Sequence, residues 1–270
     1  MTTRSIALAN QKGGVGKTTT AVSLAACLAE SGYRTLLIDL DPQANATSAL
    51  GLEKLLGGSV YQALLGGAPL ADSIRPSGLD NLDAIPSEVD LAVAEVDVAR
   101  TENYLQRLRT ALAPVHDAQR YDYILVDCPP SLGILTMNAL AAVDRVLVPI
   151  QCEYFALEGL AVITRVIQQI KASGANPQLE LEGIVLTMFD PRTNLAQQVV
   201  AEVIRVFGNK VFKTRIPRTV RLAEAPSFGK PITRYDPGSL AARAYRDLAE
   251  ELLAVTTAAV VAPPASPDQK

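Results

Sequence analysis

A glycine-rich loop near the N-terminus restricts the fold of this chain more than any other feature of its sequence. Residues 11–19 read QKGGVGKTT, and they lie between an apolar run at residues 5–9 and a helical pattern that begins at Lys17. Glycines let successive backbone N–H groups turn inward, and the following helix adds the partial positive charge of its N-terminus. A strand, such a loop and a helix in succession predict a phosphate-binding loop in an α/β domain.

Short apolar runs alternate with helical patterns along the chain. The runs lie at residues 5–9, 35–38, 123–126, 146–150 and 183–186, and apolar residues recur at helical spacing in residues 17–30 and 157–170. Nearly continuous apolar strands are typical of a parallel sheet that helices cover on both faces. We therefore predict a single P-loop NTPase domain at residues 1–255, built on a mostly parallel twisted sheet. A flexible, proline-containing tail is predicted at residues 256–270.

Composition narrows the class of protein further. The chain has 270 residues, 49% of them hydrophobic and 20% charged, with a net charge of −3. These values are typical of a globular domain and argue against a protein that coats nucleic acid with its whole surface. Cys27, Cys128 and Cys152 have no ligand-like spacing, which argues against a zinc site or a disulfide framework. Because no apolar run reaches the length of a membrane span, we expect a cytoplasmic protein.

The loop contains the residue types that hold a nucleoside triphosphate. Lys17 is placed to reach the β- and γ-phosphates, and the Thr18 hydroxyl is placed to ligate Mg²⁺. The usual pattern has a glycine where this chain has Gln11, and a second lysine, Lys12, follows. A glycine-rich turn with chance lysines is the alternative, which the flanking strand and helix disfavour. The predicted nucleotide-binding residues of the loop are Lys12, Gly13, Gly14, Val15, Gly16, Lys17, Thr18 and Thr19.

Aspartates follow two of the predicted strands. Asp39 and Asp41 come after the run at residues 35–38, and Asp127 comes after the run at residues 123–126. Ligands of an open α/β sheet lie at the carboxyl ends of its parallel strands. A phosphate-binding loop needs carboxylates there to hold the water shell of the metal and to position the attacking water. A plain turn would explain one such segment, but both segments behind one phosphate-binding loop favour a nucleotide site.

The run KGGVGKT, from Lys12 to Thr18, resembles the deviant Walker A motif of the ParA/MinD group of ATPases. The resemblance implies an ATPase that forms a homodimer when it binds ATP. Lys12 would reach the ATP of the partner subunit, and Lys17 would act on the ATP of its own subunit. The segment at residues 39–45 resembles switch I, in which Asp41 would orient the hydrolytic water. Asp127 resembles the Walker B carboxylate, which acts on Mg²⁺ through water.

The resemblance also assigns residues to the metal ion and to the adenine base of ATP. Thr18, Asp41 and Asp127 would hold Mg²⁺, and Asp39 would be structural or in the outer metal shell. The family resemblance implies ATP rather than GTP. Residues 187–190 read TMFD and lack the lysine of guanine-specific relatives, although Asp190 keeps the carboxylate that would read guanine. The residues assigned to the adenine side of the site are Met188, Pro217 and Arg218.

The C-terminal part of the chain is strongly basic. Residues 205–246 carry a net charge of +8 in a chain whose total is −3. A solvated helical surface is the ordinary explanation, but residues 216–232 resemble a signature of the chromosomal ParA/Soj branch. That resemblance implies non-specific binding to the backbone of double-stranded DNA. Thr219 stands where the family commonly has asparagine. The residues assigned to DNA are Arg215, Arg218, Arg221 and Lys230.

The family implies a partitioning cycle on nucleoid DNA, in which a ParB-type centromere-binding protein stimulates hydrolysis and release. A MinD-like membrane-associated division-site ATPase is the alternative, but it needs a basic amphipathic C-terminal helix. Residues 258–270 contain three prolines and one lysine. An iron–sulfur relative would carry paired cysteines, and a metabolic enzyme would need a substrate-binding insertion. His116 is expected in a surface loop beside Pro114, and Tyr154 and Phe155 are expected in the core or in dimer packing.

Overall fold

One sheet organises the molecule. The computed structural model describes residues 3–54 and 56–261, and within these ranges the sheet has eight strands in the order β3-β4-β2-β5-β1-β6-β7-β8. Neighbouring strands are parallel except for the pair β3 and β4. The predicted mostly parallel sheet is confirmed. The strands are β1 Arg4–Leu8, β2 Thr35–Asp39, β3 Arg75–Leu79, β4 Leu82–Ile85, β5 Tyr123–Asp127, β6 Arg145–Gln151, β7 Glu180–Phe189 and β8 Val211–Pro217.

Helices cover both faces of the sheet, as predicted. Along β1, Ala7 packs toward one face, while Ile6 and Leu8 pack toward the other, because successive side chains of a strand point to opposite sides. The first face holds α3 to α8, and the second holds α1, α2 and α11. The helices are α1 Lys17–Glu30, α2 Asn45–Ala49, α3 Tyr61–Leu65, α4 Leu91–Ala99, α5 Arg107–Asp117, α6 Ile134–Ala142, α7 Ala156–Ala172, α8 Asn194–Phe207, α9 Val220–Glu224, α10 Ile232–Tyr235 and α11 Leu240–Val261.

The centre of the sheet brings three strand ends together. β1 lies between β5 and β6, and β2 lies on the far side of β5. Leu8 of β1 and Asp39 of β2 are both in register with Asp127 of β5. The glycine-rich loop and both aspartate segments therefore leave the sheet at one edge and at the same level. This is the edge at which an open parallel sheet binds its ligands.

Several elements differ from the sequence predictions. β3, β4 and β8 were not predicted, and His116 lies in α5 rather than in a loop, because Pro114 is accommodated within that helix. α11 continues to Val261, six residues beyond the predicted domain boundary at residue 255, and residues 262–270 of the predicted tail lie outside the described residues. None of the described helices is long and apolar enough to cross a membrane.

Candidate nucleotide-binding site

The glycine-rich loop connects the end of β1 to the start of α1. Gly14 and Gly16 have φ angles of 74° and 83°, which residues with a Cβ rarely adopt. Gly16 is the N-cap of α1, and the first turn of this helix has neither an acidic residue nor a side-chain cap. The first turn therefore keeps the unpaired N–H groups that a helix start presents. Together these features form an anion-binding helix N-terminus.

A cleft of about 380 Å³ opens beside this loop. Eight of the predicted nucleotide and metal residues line it: Gly13, Gly14, Gly16, Lys17, Thr18, Thr19, Asp41 and Met188. The sequence analysis missed the rest of the wall, most of which comes from α2, from α9 and from the stretch after α9. These further residues include Asn45, Ser48, Ala49, Leu222, Ala225, Pro226, Pro231 and Ile232. Asn45 follows Asp41 closely enough that its place could have been inferred, whereas the second group is brought there only by the fold.

The two lysines of the loop have different surroundings. Lys17 is buried, and its Nζ donates a hydrogen bond to the carbonyl oxygen of Lys12 at 3.1 Å. Burial lowers the pKa of Lys17, and the negative charge of Asp127 opposes this shift. Lys12 lines a separate cavity beside the cleft, where its Nζ lies 2.9 Å from Oε2 of Glu153. Lys17 thus faces the cleft of its own chain, and Lys12 is held outside it.

Asp127 is fully buried at the end of β5. Neither of its carboxylate oxygens has a hydrogen-bond partner among the described residues. Burial raises the pKa of this carboxyl well above its ordinary value, and the negative charge of Asp39 adds to the shift. The nearby Thr18 hydroxyl and the positive charge of Lys17 oppose this shift in pKa. A buried carboxylate without partners is costly unless a cation joins it.

The oxygen donors around Asp127 fit Mg²⁺. The predicted ligands Thr18 and Asp41 line the cleft, and the buried Asp127 supplies oxygens that have no partner in the described part of the chain. Within the described ranges, no three His, Cys, Asp or Glu side chains form a complete metal-binding cluster. Mg²⁺ is commonly held by one or two carboxylates together with phosphate oxygens and water. The site therefore suits a metal that arrives with a nucleotide.

Asp41 and Asp39, in the segment that resembles switch I, have different contacts. Asp41 is 6% exposed, and its Oδ1 accepts a hydrogen bond from the backbone N–H of Gln43 at 3.0 Å. Asp39 Oδ2 accepts bonds from both the backbone N–H and the hydroxyl of Thr47, each at 2.7 Å. Burial raises the pKa of Asp39, and the bonds from Thr47 oppose this shift. These contacts favour the structural role for Asp39 over a place in the outer metal shell.

The residues assigned to adenine are only partly brought together. Met188 lines the cleft and has a φ angle of 51°. Pro217 is paired with Phe189 in the sheet, and the backbone N–H of Arg218 donates to the carbonyl oxygen of Phe189 at 3.3 Å. Both residues therefore lie next to Met188 along the strand ends but outside the cleft wall. Thr219 has a structural task, because its hydroxyl accepts a bond from the backbone N–H of Arg221 and caps α9.

The side chains of the four residues assigned to DNA differ in how firmly other residues hold them. The guanidinium of Arg215 stacks over the ring of Phe189, with its Cζ 4.9 Å from the ring centroid. Arg221 is paired with both acidic residues of the basic segment, at 3.2 and 3.4 Å. Lys230 is exposed and also lines the nucleotide cleft. Arg218 is exposed and forms no salt bridge in the described part of the chain, although its charge helps to lower the pKa of Asp190. It is therefore the least constrained of the four.

Tyr154 and Phe155 lie on the surface and not in the core. They are 78% and 57% exposed, and their rings form an edge-to-face pair with centroids 5.2 Å apart. They directly follow Glu153, the partner of Lys12. The expectation of core packing is therefore wrong, because the chain turns outward after β6, and packing in a dimer stays a prediction.

Known proteins resemble this chain over most of its length. The model of a family described as an AAA domain matches residues 3–181. The chromosome partitioning protein ParA of Myxococcus xanthus is 53% identical over 251 residues, which are 93% of this chain and 88% of that protein. The sporulation initiation inhibitor protein Soj of Bacillus subtilis is 53% identical over 250 residues, covering 92% of this chain and 98% of that protein.

Solved structures share the fold as well. A Mycobacterium smegmatis protein described as cobyrinic acid a,c-diamide synthase, with a bound ATP analogue and magnesium, has a TM-score of 0.81 at 36% identity and covers 95% of this chain and 97% of its own. A plasmid partition protein of Borrelia burgdorferi bound to AMPPNP has a TM-score of 0.79 at 26% identity, covering 94% and 99%. The sheet, the glycine-rich loop and the close similarity to ParA and Soj lead to one conclusion: this chain belongs to the ParA/Soj family of chromosome-partitioning ATPases.

Proposed function

We propose that the protein binds ATP with Mg²⁺ in the cleft and hydrolyses it. Thr18, Asp41 and Asp127 would hold Mg²⁺, which supplies positive charge next to the transferred phosphoryl group. Lys17 and the N–H groups at the start of α1 neutralise phosphate charge from within the same chain. Asp41 orients the attacking water. The partnerless carboxylate oxygens of Asp127 support this assignment.

The proposal that the protein forms a dimer rests on the position of Lys12. Its ammonium group is bound to Glu153 in a side cavity and does not line the cleft of its own chain. Because both side chains of this ion pair are partly exposed, the pair contributes little stability, and Lys12 can leave Glu153 to complete the site of a second subunit when ATP brings two copies face to face. The exposed rings of Tyr154 and Phe155 lie beside it, and aromatic side chains of this kind are enriched at subunit interfaces. Hydrolysis by a lone subunit is then slow, because the site is incomplete.

The basic segment is the proposed DNA contact. Residues 205–246 carry a net charge of +8, which suits contacts with phosphates that do not read base sequence. The ATP-bound dimer binds nucleoid DNA in the cytoplasm, and a ParB-type centromere-binding protein stimulates hydrolysis and releases it. The relatives at 53% identity, which are named for chromosome partitioning and sporulation control, support this role over the amide-synthase role of the neighbour at 36% identity.

The test is DNA binding as a function of nucleotide and salt. Fluorescence anisotropy of a labelled random-sequence duplex is measured with ATP, with ADP and without nucleotide, while small-angle scattering reports the oligomeric state. We expect a dimer and tight DNA binding with ATP only. The logarithm of the affinity should fall linearly with that of the salt concentration, with a slope of about −0.9 for each phosphate contact.

Two results would count against the proposal. Equal DNA affinity with ATP and ADP would remove the nucleotide switch, and a protein that stays monomeric with ATP would remove the role of Lys12 in the partner's site. Vesicles of anionic phospholipid form a further arm of the experiment. ATP-dependent binding to vesicles without binding to DNA would favour the MinD-like alternative.

A further inference from the structure

Ser87 lies behind switch I, although 46 residues separate it from Asp41 in the sequence. It follows β4, which pairs in parallel with β2 so that Ile85 is opposite Ile38. The chain segments that continue from these two strands therefore leave the sheet side by side. Ser87 is fully buried and is not part of the cleft wall.

Four residues form a closed ring of hydrogen bonds at this place. The hydroxyl of Ser87 donates to the carbonyl oxygen of Asp41 at 2.6 Å, and the backbone N–H of Ser87 donates to Oγ1 of Thr47 at 2.8 Å. The Thr47 hydroxyl donates in turn to Asp39 Oδ2 at 2.7 Å. Asp39 Oδ1 accepts the backbone N–H of Asp41 at 3.2 Å, which closes the ring. All four residues are buried.

The ring holds the backbone of Asp41 at both ends. Its N–H group is bound to the Asp39 carboxylate, and its carbonyl oxygen accepts from Ser87 and also from the backbone N–H of Ala44, the latter at 2.8 Å. Glu88, the next residue after Ser87, is buried and accepts hydrogen bonds from the Ser59 hydroxyl and from the backbone N–H of Gly57, at 2.5 and 2.6 Å. The segment that carries Ser87 is thus anchored on its far side and gives switch I a fixed support.

We propose that Ser87, together with Thr47, is a positioning residue for Asp41 and sets the rate of ATP hydrolysis without taking part in ATP binding. Asp41 lies on a loop, and a group that orients an attacking water must be held within a fraction of an ångström, since a misplacement of about 1 Å can slow a reaction about a hundredfold. Side chains in regular elements gain this precision from their neighbours, and the ring supplies it to Asp41. The inference rests on the water-orienting role proposed above for Asp41.

The test separates hydrolysis from binding. Steady-state hydrolysis of ATP is measured with Mg²⁺ and duplex DNA for Ser87→Ala and Thr47→Val, each of which removes one hydroxyl from the ring. We expect kcat to fall about ten- to a hundredfold, while the Kd of a fluorescent ATP analogue changes by less than about twofold. Thr47→Ser, which restores the hydroxyl, should return kcat to near the parent value.

Matched controls remove the same chemical groups elsewhere. The hydroxyl of Ser5 is buried and donates to Oδ2 of Asp144 at 2.7 Å, and the hydroxyl of Thr3 donates to the carbonyl oxygen of Tyr121 at 2.7 Å. Ser5→Ala and Thr3→Val should lower the thermal unfolding midpoint about as much as the ring variants do, yet leave kcat unchanged. A fall of kcat that follows the unfolding midpoint in all four variants would overturn the inference.

Asp41→Ala in the same assay distinguishes two failures. If Asp41→Ala hydrolyses ATP normally, the proposed role of Asp41 is wrong and the positioning role of Ser87 is wrong with it. If Asp41→Ala is inactive while Ser87→Ala and Thr47→Val keep full kcat, the role of Asp41 stands and the positioning role is wrong. Should Ser87→Ala not fold, the comparison of Thr47→Val with Thr47→Ser decides the question alone.

Discussion

Lys17 is a buried cation, and the nearby carboxylates of Asp127 and Asp41 only partly offset the cost of its burial. It is 6% exposed, and burial lowers its pKa, so the apo protein holds this ammonium group against a desolvation cost. The phosphate oxygens of a bound nucleotide would offset that desolvation cost. Lys17→Ala should therefore weaken the binding of ATP with Mg²⁺ by at least about a hundredfold, or about 2.7 kcal/mol. Titration calorimetry measures this loss.

The control for this prediction is Lys171→Ala, which removes an exposed lysine from the last turn of α7. It should leave the affinity for ATP unchanged. Micromolar binding that survives in Lys17→Ala would contradict the assignment of the phosphate-binding loop.

The three cysteines are a second residue-scale feature, since all of them are free and buried. Burial raises the pKa of Cys27 to about 12 and that of Cys152 to about 11, and it raises the pKa of Cys128 as well. The thiolate is the reactive form of cysteine, so the folded protein should not react with iodoacetamide at pH 8. Mass spectrometry should find no labelled cysteine in the folded protein and three in denaturant. Rapid labelling of Cys152 alone would show that the chain after β6 opens.

At the scale of single residues, the sequence identifies site residues that belong to a local motif. Lys17 and Thr18 are set by one strand–loop–helix motif, and Asp41 and Asp127 follow strands that can be recognised by composition. Ser87 belongs to none of these motifs. Its hydrogen bond to Asp41 exists only because β4 pairs with β2. Contacts of this kind depend on sheet order, which a single sequence does not encode in any local pattern.

The strands that can be recognised in the sequence are those that are buried along their whole length. β5, which reads YILVD, is buried at every position, so its pattern is an uninterrupted apolar run. β3 contains Pro76 and Gly78 and lies at the edge of the sheet, where a ladder tolerates such residues. β8, the opposite edge, alternates buried and exposed positions in part. Edge strands are not buried on both faces, so they lack the continuous apolar run by which central strands are recognised in a sequence.

The close approach of Gly51 and Gly229 joins α2 to the wall of the cleft. Both residues have positive φ angles, 69° and 61°, and a Cβ at Gly229 would lie 2.8 Å from the Cα of Gly51. Gly229→Ala should lower the free energy of unfolding by about 2–5 kcal/mol, because the left-handed backbone costs about 1–2 kcal/mol and the overlap adds about 1–3 kcal/mol. Denaturation by urea measures the change.

Gly174→Ala is the matched control, since Gly174 has a φ angle of 77° and open space where its Cβ would lie. It should lose only the backbone contribution of about 1–2 kcal/mol. Equal losses in the two variants would show that the Gly51–Gly229 contact adds nothing to stability.

Across the whole molecule, the strand order forms the proposed nucleotide site, and the charge distribution forms the proposed DNA-binding surface. The strand order places β1, β2 and β5 side by side, which fixes the phosphate-binding loop and both aspartate segments at one edge of the sheet. The basic segment, residues 205–246, contributes the far strand β8 and also Lys230 in the cleft wall. The charge asymmetry was visible in the sequence. The shared wall was not, because it depends on how the stretch after α9 folds back toward α1 and α2.

This shared wall makes Arg218 the sharpest probe of the proposed DNA surface. Arg221 is engaged by two acidic residues and Lys230 lines the cleft, so changes at either would alter more than one property. Arg218 was also assigned to the adenine side, but it is not part of the cleft wall. Arg218 is exposed and follows β8, two residues before α9 begins. Arg218→Glu should weaken DNA binding roughly tenfold or more and reduce the salt slope by roughly one for each subunit. ATP-driven dimerisation should be unchanged.

Arg165→Glu makes the same change of charge on the exposed face of α7, outside the basic segment. Because exposed charges outside the DNA contact are screened at moderate salt, it should leave both the DNA affinity and its salt slope near those of the parent protein. Anisotropy titrations at several salt concentrations compare the two variants directly. An equal loss in both would mean that DNA responds only to net charge, and an unchanged slope in Arg218→Glu would place the phosphate contacts on another part of the molecule.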